Sequence, residues 1–318
     1  MLAPIALFVY KRPDHTKKAL EALKNNALAQ ESDIYIFSDG WKNNDEKNQV
    51  QKVRNYVKNI SGFRKIEIIE REVNFGLAKS IISGVTDIVN KYGKIIVLED
   101  DLVTSPYFLQ YMNDSLDLYK DEKKVISIHG YMYPTRWSPS SSEPETLFLK
   151  NPSCWGWGTW KRGWDLFEHN GEKLLKDIEN GKLKKQFDFE NSYDYYGMLK
   201  RQVEGKNNSW AIRWYASAFL KDKLTLYPTK SLVENVGFDG SGVHSNKTNF
   251  YKPSMASGPI KVIKVEVKEN KTARQEVTKY FRSLKPNILK RIYRRIKNLI
   301  PVKTKMQILN FLPNIQKK

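Results

Sequence analysis

The chain has 318 residues, of which 40% are hydrophobic and 12% aromatic, enough for one large domain or two small ones with a full core. This composition excludes an intrinsically disordered chain, and the single cysteine, Cys154, excludes a disulfide framework and a multi-thiolate zinc site. No uncharged apolar stretch approaches the ~20 residues of a membrane span. Residues 2–10 lack the basic start of a signal peptide, so we predict a buried strand there.

The charge of the chain is unevenly distributed. The formal net charge is +19, but residues 277–318 contain 12 basic residues and no acidic one. The remaining 276 residues carry only +7. A nucleic-acid-binding body is therefore disfavoured, and we expect no nucleic-acid partner.

The first hundred residues predict repeated strand–helix units. Apolar runs alternate with helical spacing of apolar residues, predicting strands at 2–10, 33–37, 66–69 and 94–98 and helices at 14–24, 50–57 and 77–89. This order predicts an α/β fold with a doubly wound, mostly parallel central sheet flanked by helices. In such sheets ligands bind outside the carboxyl ends of the strands.

The acidic triplet Glu99-Asp100-Asp101 follows the fourth predicted strand. Adjacent carboxylates repel one another unless a cation or a donor-rich ligand neutralises them. Their hard oxygens suit Mg²⁺ or Mn²⁺, which typically binds one or two carboxylates together with phosphate oxygens. The alternative is a solvated acidic turn or a helix N-terminus.

Three other strand ends carry candidate ligand contacts. Arg12 follows the first strand and could reach a phosphate or a base, or could be solvated. Asp39, in a Ser-Asp-Gly sequence, could accept from a base or a ribose, or could simply form a turn. Lys79 lies in the first turns of a helix after a glycine, a position that suits a diphosphate or an ordinary surface lysine.

The second half of the chain adds aromatic and glycine-rich candidates. Trp155 and Trp157 alternate with small residues, which fits stacking on a carbohydrate or anchoring of a core. His244 follows a loop with several glycines, which could close over a ligand and supply a ligand atom, or the imidazole could be solvated.

Taken in order over residues 4–251, these motifs resemble GT-A-type nucleotide-sugar glycosyltransferases, most of all the N-acetylglucosaminyltransferase I family in a bacterial sugar-transferase branch. The resemblance implies a metal-dependent, inverting hexosyl- or N-acetylhexosaminyltransferase with a UDP-linked donor. The acceptor would be a saccharide or lipid-linked saccharide in cell-surface polysaccharide or lipid-linked glycan synthesis. It also implies a catalytic domain over 1–265, divided into a donor half (1–103) and an acceptor half (104–265), before a basic helical tail (266–318).

The same resemblance implies roles for the donor-side residues. Asp101 would hold the Mn²⁺ or Mg²⁺ ion, while Glu99 and Asp100 would contact the donor sugar and ribose. Arg12 matches a donor-binding arginine of that family. Asp39 matches the aspartate that reads the edge of uracil.

Further matches cover the acceptor side and a closing loop. Lys79 stands where the family has a histidine that contacts the donor. The segment containing Trp155 and Trp157 resembles the one that opens the acceptor side. Residues 224–244 resemble a closing strand and a flexible loop over the donor, and His244 would be a further metal ligand.

One departure concerns the catalytic base. The family has Trp-Asp-Asp-Trp where this chain has Trp210-Ala-Ile-Arg-Trp214, and the Ala-Ile pair cannot deprotonate an acceptor hydroxyl. We predict Asp239 as the substitute, with Glu234 and Asp194 as alternatives. Two other functions stay open: a non-catalytic carbohydrate- or membrane-binding GT-A-like protein, and a sugar nucleotidyltransferase. A Gly-x-Gly loop for the second is absent near the first strand.

The C-terminal segment predicts contact with a membrane surface. From 288 to 300, apolar residues recur at spacings of three and four, and basic residues fill the other face. Such a helix is typical of an interfacial anchor that prefers anionic lipid. Residues 280–318 would then hold a cytoplasmic, peripheral protein on the inner face of the cell membrane. A helix packed on the domain, or a calmodulin-like or nucleic-acid contact, are the alternatives.

Overall fold

Strands and helices alternate along the first hundred residues in the predicted order. In the computed structural model, residues 1–137, 139–140, 142–240 and 248–285 are described. The strands are β1 (Ile5–Val9), β2 (Asp33–Ser38), β3 (Lys65–Glu70), β4 (Lys94–Glu99), β5 (Leu102–Thr104), β6 (Val125–His129), β7 (Thr146–Leu149), β8 (Trp157–Trp160), β9 (Leu224–Pro228) and β10 (Val233–Asn235). The helices are α1 (Pro13–Lys24), α2 (Asn44–Val57), α3 (Leu77–Tyr92), α4 (Phe108–Leu118), α5 (Lys161–Trp164), α6 (Gly171–Asn180), α7 (Lys184–Phe187), α8 (Tyr195–Val203), α9 (Trp210–Leu220) and α10 (Lys271–Leu284).

Eight strands form the central sheet of the described chain, in the order β3-β2-β1-β4-β8-β6-β9-β7. Strands β3, β2, β1 and β4 pair in parallel, as do β6 and β9. Strand β8 runs antiparallel between β4 and β6, and β7 runs antiparallel to β9. The predicted doubly wound, mostly parallel sheet flanked by helices is confirmed, with two antiparallel strands that the sequence did not indicate.

Both faces of the sheet are buried, which explains why its strands are apolar throughout. In β1, Leu7 packs on one face while Ala6 and Phe8 pack on the other, as the two-residue period of a strand requires. Helices α1, α2 and α4 contribute to the first core, and α3, α5 and α9 to the second. The sheet is thus the middle layer of a three-layer domain.

Two glycines set the limits of α3. Gly76 precedes the helix with φ 72°, and Gly93 ends it with φ 76° in the left-handed region. A side chain is strained in that conformation, so glycine stops the helix there. The start of α3 therefore lies at the carboxyl edge of the sheet, beside the loop after β2.

A small antiparallel pair, β5 with β10, lies apart from the central sheet. Val233 pairs with Thr104 and Asn235 with Leu102. Since β5 begins directly after Asp101, this pairing brings residues 233–235 next to the acidic triplet.

Helix α10 lies within the segment predicted as a tail, but it packs on the domain. Ala273, Val277 and Phe281 are buried in the first core, and the Phe281 ring lies 5.1 Å from that of Tyr133. The predicted amphipathic helix at 288–300 lies outside the described residues. Among the residues that are described, no helix is both long enough and apolar enough to cross a membrane.

Candidate functional site

The carboxyl ends of β1, β2 and β4 meet at one edge of the sheet. Val9 pairs with Ser38, and Phe8 pairs with Glu99, so the three strands end nearly level. The polar residues that follow these strands consequently emerge together, as the strand-end rule predicts.

The guanidinium of Arg12 joins the two aspartates of the acidic triplet. Its Nη2 atom donates to Oδ1 of Asp100 in a short charge-assisted hydrogen bond, and to Oδ2 of Asp101 at 2.9 Å. Burial lowers the pKa of Arg12, but the charges of Asp100 and Asp101 outweigh it and raise that pKa above its usual value. Burial raises the pKa of Asp100, while Arg12 opposes the rise. A protein cation thus offsets part of the negative charge of this carboxylate pair.

The donor set of this pair suits a divalent cation only in part. Carboxylate oxygens are the ligands that Mg²⁺ and Mn²⁺ prefer, and one or two suffice when phosphates supply the rest. Within the described ranges, no group of three or more His, Cys, Asp or Glu side chains could hold a metal by itself. The aspartates therefore fit an ion that is shared with a phosphorylated ligand. His244 lies outside the described residues.

Glu99 differs from its two neighbours because its carboxyl group has no hydrogen bond or ion pair to another described residue. Burial, followed by the charges of Asp101 and Asp100, raises the pKa of Glu99 to about 8. When it carries a proton, this carboxyl group can donate a hydrogen bond, for instance to a sugar hydroxyl. Burial also raises the pKa of the adjacent Cys154 thiol well above its usual value.

Asp39 builds the loop before α3. Its Oδ1 accepts from the backbone N–H of Gly40 at 3.0 Å and of Phe75 at 2.8 Å, and its Oδ2 accepts from Gly76 at 2.9 Å. A carboxylate has about four acceptor positions, so one on Oδ2 stays available for a ligand. The side chain is only 6% exposed. The predicted contact with uracil remains a prediction, and the structural role of Asp39 is additional.

Two buried arginines behind this loop were missed in the sequence. Arg54 donates to the carbonyl of Asp39 at 3.3 Å and to that of Arg71 at 2.7 Å. Arg71 donates to the hydroxyls of Ser80 and Ser83, the latter at 2.9 Å. Arg71 directly follows β3, so its position at a strand end could have marked it as a candidate. Arg54 lies on the buried face of α2, where a cation is unexpected.

Lys79 lies on the first turn of α3, as predicted, and its side chain is exposed. Its Nζ atom lies 4.2 Å from the centre of the Phe75 ring. The ammonium group is thus at the helix N-terminus, where an anion is favoured. Its contact with a donor remains a prediction.

The loop after β10 covers the acidic triplet. The N–H of Val236 donates to the carbonyl of Asp101 at 2.9 Å. A Cβ atom on Gly237 would clash with Oδ2 of Asp101 and would lie 3.1 Å from Nη1 of Arg12, so the close approach requires glycine. This contact places residues 236–240 directly against the Arg12–Asp101 pair.

Asp239 lies at the end of this loop, beside α1. Its Oδ2 atom is 3.1 Å from Nε2 of His15, and its side chain is 48% exposed. His15 was missed in the sequence, although it lies only three residues after Arg12. Asp239 therefore follows by two residues the glycine that approaches Asp101, and its side chain is about half exposed.

The two alternative bases have other contacts. Glu234, in β10, lies 3.3 Å from Nζ of Lys252. Asp194 accepts from the N–H of Gly197 at the start of α8 and forms a 3.1 Å ion pair with Arg201. Among the described residues, Asp194 has contacts with Gly197 and Arg201 of α8 and none with the strand ends. Asp239 is the candidate on the loop whose first residues contact Asp101, and its role as a base remains a prediction.

The predicted acceptor tryptophans occupy different environments. Trp155 is partly buried and meets Tyr131, Phe238 and Tyr251 edge to face, with ring centres 4.7–5.6 Å apart. Trp157 is only 1% exposed, within the second core. A side chain so deeply buried cannot stack on an acceptor, so the predicted acceptor contact of Trp157 is wrong and Trp157 is a core residue.

The departure from the family's acidic motif falls at the start of α9. Ile212 is 2% exposed and belongs to the first core, and Ala211 packs on the second. A carboxylate at Ile212 would be buried among apolar side chains at high cost. The structure therefore suits apolar residues at these positions.

Comparisons with known proteins gave partial matches only. No protein-family model and no curated protein matches this chain. The crystal structure of S. aureus TarS 1-349 is 13% identical, with a TM-score of 0.41, and the match covers 72% of this chain and 59% of that one. For TarS 1-349 with UDP, the identity and TM-score are again 13% and 0.41, with 73% and 60% covered. For TarS 1-349 with UDP-GlcNAc the identity is 13% and the TM-score 0.35, and the match covers 55% of this chain and 47% of that one. This chain spans less than two thirds of those structures, and likeness at this level assigns neither a family nor an activity to it.

Proposed function

We propose that this chain is a GT-A-like, metal-dependent, inverting glycosyltransferase that uses a UDP-linked sugar, of the type found in the N-acetylglucosaminyltransferase I family. The observation that carries the proposal is the meeting of Arg12, Asp100 and Asp101 at the carboxyl edge of a mostly parallel sheet, beneath the loop 236–240. That edge is where ligands bind in such folds.

The donor half would bind the nucleotide-diphosphate sugar through residues at the strand ends. Asp101 would hold the divalent ion, which when bound supplies Lewis-acid stabilisation of the leaving diphosphate. Arg12 can donate from its planar guanidinium to phosphate oxygens, and Glu99 can form a hydrogen bond with a sugar hydroxyl. Asp39 keeps an acceptor position on Oδ2 for the uracil edge.

The acceptor half would supply the base. Asp239 takes the proton of the acceptor hydroxyl, and the freed oxygen forms a bond to the anomeric carbon from the face opposite the diphosphate. The bond between that carbon and the diphosphate oxygen breaks, so the configuration inverts. His15 holds the carboxylate of Asp239 in position. The exposed part of Trp155 offers an aromatic surface for the sugar ring.

A thermal-shift experiment tests this proposal. The protein is melted with UDP, GDP, CDP and ADP, each with and without Mn²⁺, and Asp101→Asn is compared with Asp177→Asn, which changes an exposed carboxylate elsewhere. We expect UDP with Mn²⁺ to raise the Tm of the wild type and of Asp177→Asn but not of Asp101→Asn.

Three outcomes would contradict the proposal. If no nucleoside diphosphate raises the Tm with or without Mn²⁺, the donor site is wrong. If UDP binds but the donor sugar is neither hydrolysed nor transferred to any saccharide, the chain is a non-catalytic binding protein. Release of pyrophosphate from a nucleoside triphosphate would instead identify a sugar nucleotidyltransferase.

A further inference from the structure

A second cleft, of about 570 Å³, lies between α3 and α9. Lys79, Ser83 and Asp87 line it from α3, and Arg213 lines it from α9, together with His169 and Asn208. The cleft begins near the donor edge, because Gly76 before α3 is bonded to Asp39. Along α3 it extends from Ala78 to Asp87, about 13 Å at 1.5 Å per residue.

Arg213 is the charge at the base of this cleft. The residue is 9% exposed, and its described hydrogen bonds lead to two backbone carbonyls, those of Ser209 at 3.4 Å and His169 at 3.2 Å. Its Nη2 atom has no hydrogen bond to a described residue, and no described carboxylate forms an ion pair with it. Burial lowers the pKa of Arg213 without an opposing acid. The guanidinium also lies over the Phe167 ring, with Cζ 5.8 Å from the ring centre. None of these described partners carries a negative charge, and a buried cation without a counter-charge is costly in a folded protein.

The other charges around the cleft leave a positive excess. Lys79 is exposed and forms no ion pair within the described ranges, and Arg71 lies behind the cleft, bonded to Ser83. Asp87 is the acidic residue of the lining, and it is exposed, as Lys79 is, so solvent screens these two opposite charges alike. The positive excess therefore comes from the buried Arg213 and Arg71. His169 adds a further donor at the surface.

We propose that this cleft binds an anionic group, a phosphate or a carboxylate, between Arg213 and Lys79. Such a group would give the Arg213 guanidinium the charged acceptor that it lacks in the protein. The group could be a substituent of a glycan that extends away from the donor edge, or a free inorganic anion. This proposal assigns Lys79 to the anion of the cleft and not to the donor diphosphate. The site rests on these charges and does not depend on the proposed transfer reaction.

Calorimetric titration of the full chain, with UDP held at saturation, tests this site. The probes are inorganic phosphate, glucuronate and, as the neutral match to glucuronate, glucose. We expect at least one of the two anions to bind and glucose not to bind. Arg213→Gln should weaken anion binding about tenfold or more, the effect of losing a hydrogen bond between charged groups. Lys79→Gln should weaken it about two- to fivefold, because the ammonium group is exposed and screened. Lys91→Gln, in the last turn of the same helix, should bind as the wild type does.

The outcomes separate the two ligand sources. Binding of glucuronate without phosphate supports a carboxylated glycan, and binding of phosphate alone supports a free anion or a phosphorylated glycan. Arg213 also donates to two backbone carbonyls, so its replacement could unfold the protein, and the Tm of each variant is measured first. If Arg213→Gln does not fold, the anion affinity of the exposed Lys79→Gln tests the site. Equal anion affinity of Lys79→Gln and the wild type would overturn the site, as would displacement of the anion by UDP. A wild type that fails to bind UDP contradicts the proposed function, while the anion titration without UDP still tests the cleft.

Discussion

The Nη2 atom of Arg12 lies 2.9 Å from Oδ2 of Asp101, on the carboxylate that we expect to bind a divalent cation. Two positive charges cannot share that oxygen without strong repulsion at this distance. The guanidinium and the metal therefore compete for the same carboxylate. A phosphorylated ligand resolves the competition, because it offers Arg12 other acceptor oxygens.

Replacing Arg12 should expose this competition. Arg12→Met is expected to bind Mn²⁺ about tenfold more tightly than the wild type when no nucleotide is present, since the repulsion is removed. Its Tm should fall, because two carboxylates lose their counter-charge, and Mn²⁺ should restore part of the loss. Calorimetric titration with Mn²⁺ alone measures the first effect.

Lys17→Met provides the matched control for Arg12→Met, because it removes one exposed positive charge from the same helix. It should change Mn²⁺ affinity little. Equal affinity of Arg12→Met and Lys17→Met would show that Arg12 does not hinder the metal.

Asp39 should contribute to stability as well as to ligand binding. Asp39→Ala leaves the N–H groups of Phe75 and Gly76 without their acceptor, so we expect the free energy of unfolding to fall by about 2–3 kcal/mol. Asp39→Asn, which keeps one acceptor oxygen, should lose less. Urea unfolding measures both, with Asp177→Ala as the exposed control. A loss for Asp39→Ala no greater than that of the control would contradict the role in the loop.

Asp239 should affect turnover without affecting donor affinity. Asp239→Asn is expected to lower turnover by about 10²–10⁴-fold, the usual contribution of a general base, while UDP affinity stays nearly unchanged. Glu234→Gln, on the adjacent strand, should lose much less. A large loss of UDP affinity in Asp239→Asn would make Asp239 a loop-closure residue, and unchanged turnover would return Glu234 and Asp194 to consideration.

Removal of the C-terminal segment should separate membrane binding from folding. A chain that ends at Lys285 keeps α10 and should lose co-sedimentation with anionic liposomes while UDP and Mn²⁺ still raise its Tm. A chain that ends at Lys279 also loses Phe281, which is 1% exposed, and should be less stable by about 3–5 kcal/mol. The cut therefore belongs after α10. Equal liposome binding by the full chain and the chain ending at Lys285, at low and moderate salt, would contradict the anchor.

His129 should make the fold sensitive to acid. The side chain is fully buried, its Nδ1 lies 2.8 Å from the carbonyl of Tyr131, and burial lowers its pKa to about 4. The unfolded chain takes up the proton near pH 6.5, so stability is complete above that pH and falls as the pH drops toward 4, by about 3 kcal/mol in all. His129→Asn should show a shallower loss over this window in urea unfolding at several pH values. The same slope in both proteins would contradict the assignment.

The order of strands and helices over the first hundred residues followed from the sequence alone. Hydrophobic periodicity and the turn residues that interrupt it are local properties, and they located β1 to β4, α1 and α3 within about three residues. The end of α2 was also located, but its polar start at Asn44 lies six residues before the predicted one. Because the carboxyl ends of parallel strands meet at one edge of a sheet, the sequence also predicts that Arg12 and Asp101 lie close together. The amphipathic spacing at 288–300 is likewise a property of the sequence.

Only the tertiary structure decided which side chains meet and which are covered. The acidic face that Arg12 neutralises, the approach of Asp239 to His15 and the unpaired charge of Arg213 each depend on segments far apart in the chain. Trp157 belongs to an aromatic cluster in the sequence, but the insertion of β8 between β4 and β6 buries it. Such contacts depend on how whole layers pack, and neither residue type nor spacing encodes them locally.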